Sequence, residues 1–250
     1  MRNLVAVLAA LLCASCVTAE QVAFQPSAGQ QAMIRDGNPG IVSTKKNSIV
    51  IARPASRQFQ IGGRPVFVIG IFNRSNAPQD FRVANVQVAQ VVNGESVPIK
   101  VITYEMLVQE EHSRQVFAAV ATGLAAGANA YSASRAGYYN ANSTVYTPHG
   151  TYQVSTTGYS PTAAAIAQSN ASAQNDAMIA ATVERGQQNL ATLERAVIKD
   201  NTLMPGEWYG GQLHLSPLAS SEGAKTYSIS VTVGTDRHDI TVVQGGQVHS

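Results

Sequence analysis

A long helical segment interrupts the strand pattern of this 250-residue chain, and the interruption constrains the fold more than any other feature. Patterns typical of strands extend from Ser48 to about Glu105 and resume near Glu207. Between them, apolar residues recur at every third or fourth position, as they do along one side of a helix. The pattern predicts an α+β chain with an Ala/Gly-rich helical hairpin inserted into a domain of strands.

Short, closely spaced strand signals flank the insertion. Residues 66–72 form an unbroken β-branched and aromatic run, which predicts a strand buried on both faces. Asn93-Gly94 is the strongest hairpin signal, because both residues tolerate a positive φ. Residues 227–233 alternate Tyr, Ile and Val with Ser and Thr, but the strands near them are too few to be stable alone. We therefore expect all the strands to form one discontinuous, Ig-like antiparallel β-sandwich. Two separate small β units joined by the helices are the alternative.

The predicted organisation follows from these shifts in pattern. It comprises a signal peptide (1–19), a flexible leader with a turn (20–46), the N-terminal part of the sandwich (47–109), the inserted helical hairpin (110–201) with a Tyr-rich polar tip (137–160), the C-terminal strands that complete the sandwich (202–244) and a tail (245–250).

Small residues distinguish the first predicted helix. Ala119, Gly123 and Gly127 are spaced four apart and allow another backbone to approach closely, which makes them candidates for helix packing or self-association. Insertion of this helix into a bilayer is a further alternative, although the apolar stretch ends after about sixteen residues and Asn129 interrupts it. Larger residues repeat along one side of this helix, which is expected to be buried and tightly packed: Val116, Phe117, Val120, Leu124, Ala128 and Tyr131.

The second predicted helix begins with a clear signal. Ser160 is placed to cap it, and Pro161 occupies the first helical position, where proline is tolerated. The helix is expected to end near Asn201. One stripe is expected to pack on a neighbouring helix: Ile179, Val183, Gly186, Leu190, Leu193 and Val197.

Six of the nine tyrosines lie between residues 131 and 159, in polar surroundings. Tyrosine offers a large rigid contact surface at a low cost in conformational entropy. Tyr139, Tyr146 and Tyr152 are therefore candidate partner-binding residues. In the alternative interpretation these rings pack on the flanking helices of a hairpin.

Composition and motifs argue against several functions. The 17 Lys and Arg residues nearly balance the 15 Asp and Glu residues, so no basic field favours nucleic acid. We find no zinc-binding motif, nucleophile elbow or phosphate-binding loop, and we expect no catalytic residues, cofactor or metal. His214 and His238, with Asp236 and Asp239, could meet on neighbouring C-terminal strands, where surface histidines are the simpler interpretation.

The N-terminus predicts export. Arg2 precedes an apolar run of about nine residues, which suits a signal peptide and is too short to span a bilayer. Residues 17–19 (Val-Thr-Ala) form a cleavage site before Glu20, whereas Cys16 is the alternative site of lipidation and membrane attachment. Residues 1–19 thus resemble the export signal of a bacterial envelope protein, which implies a destination, periplasmic, secreted or lipid-anchored, and no activity.

These observations favour an exported, non-catalytic envelope protein that acts in binding or assembly through its helical hairpin. Its expected partner is another envelope protein or a second copy of itself. A membrane-active or oligomerising protein that uses the glycine-rich helix 116–131 is the first alternative, and a hydrolase with an unrecognised site is the second.

We predict that the mature chain begins at Glu20, because the small residues at 17 and 19 fit signal peptidase. The intact mass of the protein purified from its native envelope tests this prediction. A mass that retains Cys16 with attached acyl chains would contradict it and would establish the lipid-anchored form.

Overall fold

The computed structural model describes residues 19–35, 37–219 and 224–245, and the predicted signal peptide with Cys16 falls almost wholly outside these ranges. The chain divides into two compact units. The first comprises the residues up to Leu107 and those from Leu193 onward, and the second is Val108–Thr192. The first unit is therefore discontinuous in sequence.

Within the described residues, strands and helices follow one another in a mixed α+β order. The strands before the first helix are β1 (Ala19–Gln25), β2 (Gln30–Arg35), β3 (Asn38–Thr44), β4 (Ser48–Pro54), β5 (Gln58–Gln60), β6 (Val66–Asn73), β7 (Gln79–Phe81), β8 (Gln87–Val92), β9 (Glu95–Ile99) and β10 (Val101–Ile102). Next come α1 (Tyr104–Arg135), β11 (Tyr138–Thr147), β12 (Gly150–Tyr159) and α2 (Pro161–Ala196). The last strands are β13 (Asn201–Leu203), β14 (Trp208–Leu215), β15 (Lys225–Val233) and β16 (Asp236–Gln244).

Two large antiparallel sheets make up the first unit. One has the order β10-β14-β6-β4-β3-β2, and the other has the order β13-β7-β15-β16-β1-β5, with β8 paired to β15 and β9 to β8. Strands from before and after the helices are neighbours in both sheets, as in the pairs β6–β14 and β8–β15. The expected completion of the sheets by C-terminal strands is therefore present.

The two sheets share one hydrophobic core. Phe67 and Ile69 of β6 belong to the same buried cluster as Tyr227 and Ile229 of β15, and all four are at most 1% exposed. The rings of Phe67 and Tyr227 meet edge to face, with centroids 6.1 Å apart. This arrangement fits a β-sandwich and confirms the α+β class, while the strand order does not establish the immunoglobulin-like form.

Three sequence-based predictions concern single elements of this fold: a hairpin, a strand and a helix cap. The hairpin at Asn93-Gly94 is confirmed: φ is 53° and 84° at the two residues, and β8 pairs with β9 across them. Strand β6 is buried on one face only, since its alternate residues are half-exposed, and the expectation of burial on both faces was wrong. The cap of the second helix is confirmed, because Ser160 Oγ accepts a hydrogen bond from the Ala163 backbone N–H.

Residues 20–46, expected to be a flexible leader, contain three strands. Strand β1 pairs with β16 and β5, and β2 pairs with β3. The Lys225 Nζ donates to Glu20 Oε1 at 2.6 Å between two nearly buried side chains, and Val22 and Ile41 enter the core. Backbone pairing and a few apolar residues thus order a segment whose composition is typical of a loop.

We predict that replacing Val108–Thr192 by a short Gly-rich linker leaves the first unit folded, because its sheets and core are formed without this segment. Fluorescence of Trp208, the single tryptophan, and protease resistance measure this.

The contrasting variant deletes residues 110–200, the limits that strand periodicity alone suggests. This deletion removes Val197 and Ile198, which are 5% and 2% exposed and belong to buried clusters of the first unit. Loss of such a buried aliphatic residue costs about 2–5 kcal/mol. Equal unfolding of both deletion variants would contradict an independent first unit.

Candidate functional site

The two helices of the second unit contact each other through small and polar residues. Asn189 Nδ2 donates to Glu111 Oε1 at 3.0 Å, and Gln115 Nε2 donates to the Gly186 carbonyl oxygen at 3.1 Å. Farther along, the Thr122 and Thr182 hydroxyls lie 3.1 Å apart, and Asn129 Nδ2 donates to Asn175 Oδ1 at 3.0 Å. The buried residues that α1 and α2 contribute here are Glu111, Ala133, Ala164, Ala171 and Gly186.

Large apolar residues lie on the outside of the same helices. Phe117 is 78% exposed and Leu124 is 73% exposed. The other exposed apolar side chains of α1 and α2 are Val116, Val120, Tyr131, Ile166, Ile179 and Val183. The expectation of a buried first helix was therefore wrong. The predicted inward stripe of the second helix was wrong at Ile179 and Val183, whereas Gly186 of the same stripe is buried. The inner face consists of small residues, which allow close approach, and of paired polar groups. This kind of packing is common between membrane helices.

The glycine stripe of α1 takes no part in the contact with α2. A Cβ added to Gly123 or Gly127 would meet no atom within 4 Å, and Ala119 is exposed. The structure therefore does not place these residues in a helix contact within the chain. Their predicted role in self-association stays a prediction, because the stripe is open to another molecule.

Strands β11 and β12 form a hairpin of ten aligned residue pairs, from Tyr138↔Tyr159 to Thr147↔Gly150. Every residue of both strands is exposed except Gly158, which is half-buried beneath the ring of Tyr139. Cross-strand partners share a face, so Tyr139 and Tyr152 lie on one face and Tyr146 lies on the other. The three candidate partner-binding tyrosines are exposed but do not form one surface.

Charge is nearly absent from the middle of this unit, residues 115–175. Between Arg114 and Asp176 the sequence contains one Asp, Glu, Lys or Arg residue, Arg135. Its Nη1 donates to the Tyr131 hydroxyl at 3.0 Å, and its guanidinium lies 5.4 Å from the centre of that ring. The exposed surface of residues 115–175 is therefore largely uncharged, which is unusual for a surface that faces water.

Among the described residues, one helix, α1, is long and apolar enough to cross a membrane. This criterion is weak evidence by itself, because core helices of soluble proteins also meet it. Most of α1 is exposed, in contrast to such core helices.

The candidate histidines do not meet. His238 of β16 is fully buried, and its Nε2 lies 2.8 Å from Ser48 Oγ while its Nδ1 lies 3.0 Å from Ser43 Oγ. Ser48 Oγ in turn donates to Asp236 Oδ2 at 2.8 Å. His214 lies in β14, in the other sheet.

This Ser-His-Asp cluster differs from a nucleophilic triad in two ways. The carboxylate of Asp236 contacts the serine hydroxyl instead of the imidazole, and both serines are fully buried. A neutral imidazole satisfies the geometry, with Nε2–H donating to Ser48 and Nδ1 accepting from Ser43. Burial lowers the pKa of His238 to about 4, which favours this neutral form.

Among the described residues, no group of three His, Cys, Asp or Glu side chains is arranged to hold a metal ion.

A groove on the six-stranded sheet was missed by sequence reasoning. Trp208 stacks on Phe72, with ring centroids 4.8 Å apart, and the groove beside it has a volume of about 440 Å³. Its other lining residues include Gly40, Gly70, Arg35, Arg53 and Asn38. The glycine within the apolar run of β6 was the signal that could have indicated it, because a strand glycine often marks space beside the sheet.

Comparison with known proteins finds no matching family model, no similar curated protein and no similar solved structure.

We predict that His238 makes the first unit less stable in mild acid. Its folded-state pKa of about 4 lies below the ordinary value of 6.5, so the unfolded chain binds the extra proton as the pH falls through 6.5. Lowering the pH from about 7.5 to about 5 removes about 2 kcal/mol of the free energy of unfolding through this group. Urea unfolding followed by Trp208 fluorescence measures it.

The variant His238→Gln should lose this part of the pH dependence, although it is less stable at every pH. His112→Gln, on the exposed surface of α1, is the matched control and should retain it. The prediction fails if the unfolding curves of His238→Gln and the unchanged chain shift equally with pH.

Proposed function

We propose that this chain is an exported, non-catalytic bacterial envelope protein that acts in assembly, with the helical hairpin as its contact element. The observation that carries the proposal is the reversed polarity of the hairpin: polar and small residues inside, Phe117, Leu124 and Ile179 outside. Exposed apolar rows of this kind normally mark a surface that another molecule covers.

A second copy of the chain is the favoured covering molecule. The open stripe at Ala119, Gly123 and Gly127 would let a neighbouring helix approach closely, and the near absence of charge removes the repulsion between identical copies. Another envelope protein that binds through the exposed tyrosines Tyr139, Tyr146 and Tyr152 is the related possibility.

The first alternative is a membrane-active protein that inserts the glycine-rich helix 116–131. The length and exposure of α1 favour it, while Asn129 and the polar residues that α1 directs toward α2 argue against α1 crossing a bilayer alone. The hydrolase alternative receives no support from the cluster around His238, whose serine hydroxyls are buried.

The remaining proposals concern location and fold. Export rests on the signal-like residues 1–19, with lipid attachment at Cys16 as the alternative to release. The Ig-like assignment of the sandwich rests on two antiparallel sheets around one core. An experimental structure with its strand connections resolved would test it.

We predict that Gly123→Leu disrupts the oligomer while the chain stays folded. Leucine has room in the single chain and favours a helix by roughly 0.8 kcal/mol over glycine, so the melting temperature should not fall. Only a closely packed copy would exclude the new side chain. Light scattering and sedimentation of the mature protein measure the change in assembly.

The control is Ile34→Ser, which removes an apolar side chain that is 81% exposed in the first unit and should leave the oligomer intact. A second variant, Phe117→Ser with Leu124→Ser, removes exposed apolar area from α1 and should also dissociate the oligomer. A mature protein that is monomeric before any substitution, at all concentrations and in detergent, would overturn assembly as the function.

A further inference from the structure

We propose that the β11–β12 hairpin is a membrane-crossing element, and that hairpins from several copies pair edge to edge to close one β-barrel through a lipid bilayer. This inference rests on the proposed assembly function. In this proposal, the edges of each hairpin pair with the same hairpin in neighbouring copies. One face of the hairpin contacts lipid chains.

The hairpin has the length of a membrane strand pair. Each strand has ten residues, which at about 3.3 Å per residue extend roughly 33 Å. Strands of membrane barrels tilt by about 35–45°, so this length spans an apolar band of about 25 Å. The turn between the strands is short, Pro148-His149, as expected for one end of such a pair.

The register separates amide from aliphatic side chains, whereas Ser, Thr and Tyr occur on both faces. One face presents Tyr139, Ala141, Ser143, Val145, Thr147, Gly150, Tyr152, Val154, Thr156 and Gly158. The other presents Tyr138, Asn140, Asn142, Thr144, Tyr146, Thr151, Gln153, Ser155, Thr157 and Tyr159. All amide side chains lie on the second face, and all aliphatic ones lie on the first. Membrane strands show this alternation, with the apolar face toward lipid and the polar face toward the lumen.

Tyrosines lie at both ends of the hairpin. Tyr138, Tyr139 and Tyr159 are next to the helices, whereas Tyr146 and Tyr152 are next to the turn. On the apolar face, Tyr139 lies six residues from Val145, the partner of Tyr152, which corresponds to about 20 Å along the strand. Aromatic residues at two levels match the girdles at the two surfaces of a bilayer.

The outer edges of the hairpin are unpaired in the single chain. The sheet contains only β11 and β12, and a two-stranded hairpin is marginally stable in water. Its edges also lack the lysines, prolines and bulges that keep exposed edge strands from pairing. Barrel closure satisfies every edge, because β11 of one copy pairs with β12 of the next.

The charge pattern favours the hairpin over α1 as the crossing element. No Asp, Glu, Lys or Arg lies between Arg135 and Asp176, and Arg135 stands just before β11, at the expected membrane surface. The inner side of α1 carries Glu111, Gln115 and Asn129 bonded to α2, as suits helices outside the bilayer. Because the smallest membrane barrels have eight strands and each copy supplies two, at least four copies are needed.

Two neighbouring positions on opposite faces test the proposal. Ser143→Arg places a cation on the face assigned to lipid, and Asn142→Arg places it on the face assigned to the lumen. The mature full chain and both variants are added to vesicles of phosphatidylethanolamine and phosphatidylglycerol that contain carboxyfluorescein. Circular dichroism confirms that each variant is folded.

We expect dye release by the unchanged chain, a loss of at least about 30-fold for Ser143→Arg, and release close to the original for Asn142→Arg. In planar bilayers, Asn142→Arg should shift the ion preference of the conductance toward anions. Equal release by the two variants, or a conductance whose selectivity ignores Asn142→Arg, would overturn the assignment of the faces.

An independent readout uses an environment-sensitive dye on single cysteines at positions 141–144. Dyes at 141 and 143 should report an apolar environment in vesicles and dyes at 142 and 144 an aqueous one; a signal without alternation overturns the proposal. An oligomer that forms but releases no dye removes the barrel and leaves the assembly function. A chain that lacks residues 138–159 separates the two candidates for insertion. If this chain still releases dye, and if Gly123→Leu abolishes that release, α1 is the inserted element instead.

Discussion

The shared core of the two sheets is the constraint on which the rest of the molecule depends. Strands from both ends of the sequence are neighbours in each sheet, and Phe67 of β6 lies against Tyr227 of β15. Because these pairings close the first unit without residues 108–192, the intervening segment does not have to supply a core. Its apolar residues are free to face outward, and this freedom makes the reversed polarity of the helices possible.

Sequence periodicity predicted the helices but not which of their faces would be buried. The rows at Phe117, Leu124 and Ile179 have the right spacing, and in water such rows normally face the core. Here Gln115, Thr122 and Asn129 line the contact instead, because each has a hydrogen-bonding partner on α2. A period identifies an element, whereas its orientation depends on partners that lie about 50–80 residues away in the sequence.

Two other regions also depend on partners that are distant in the sequence: the segment 20–46 and the surroundings of His238. The leader 20–46 contains few apolar residues, so its composition indicated a loop. Strand pairing and the Glu20–Lys225 ion pair nevertheless order it. The environment of His238 was also outside the reach of the sequence, because Ser43 and Ser48 approach it from the opposite sheet. The hairpin at Asn93-Gly94 was predictable because its two residues determine the turn locally.

The division of the chain into two units also has a consequence for the order of assembly. A first unit that folds by itself would keep the chain soluble while the apolar helix faces and the unpaired hairpin edges are still exposed. In the proposed assembly, those surfaces are protected only when several copies meet. Each added copy forms one more pairing between strand edges and covers one more apolar helix face. The last copy would form two such pairings at once, so the closed ring is expected to be more stable than any open intermediate. A chain built in this way is expected to populate single copies and complete rings, with few species between them.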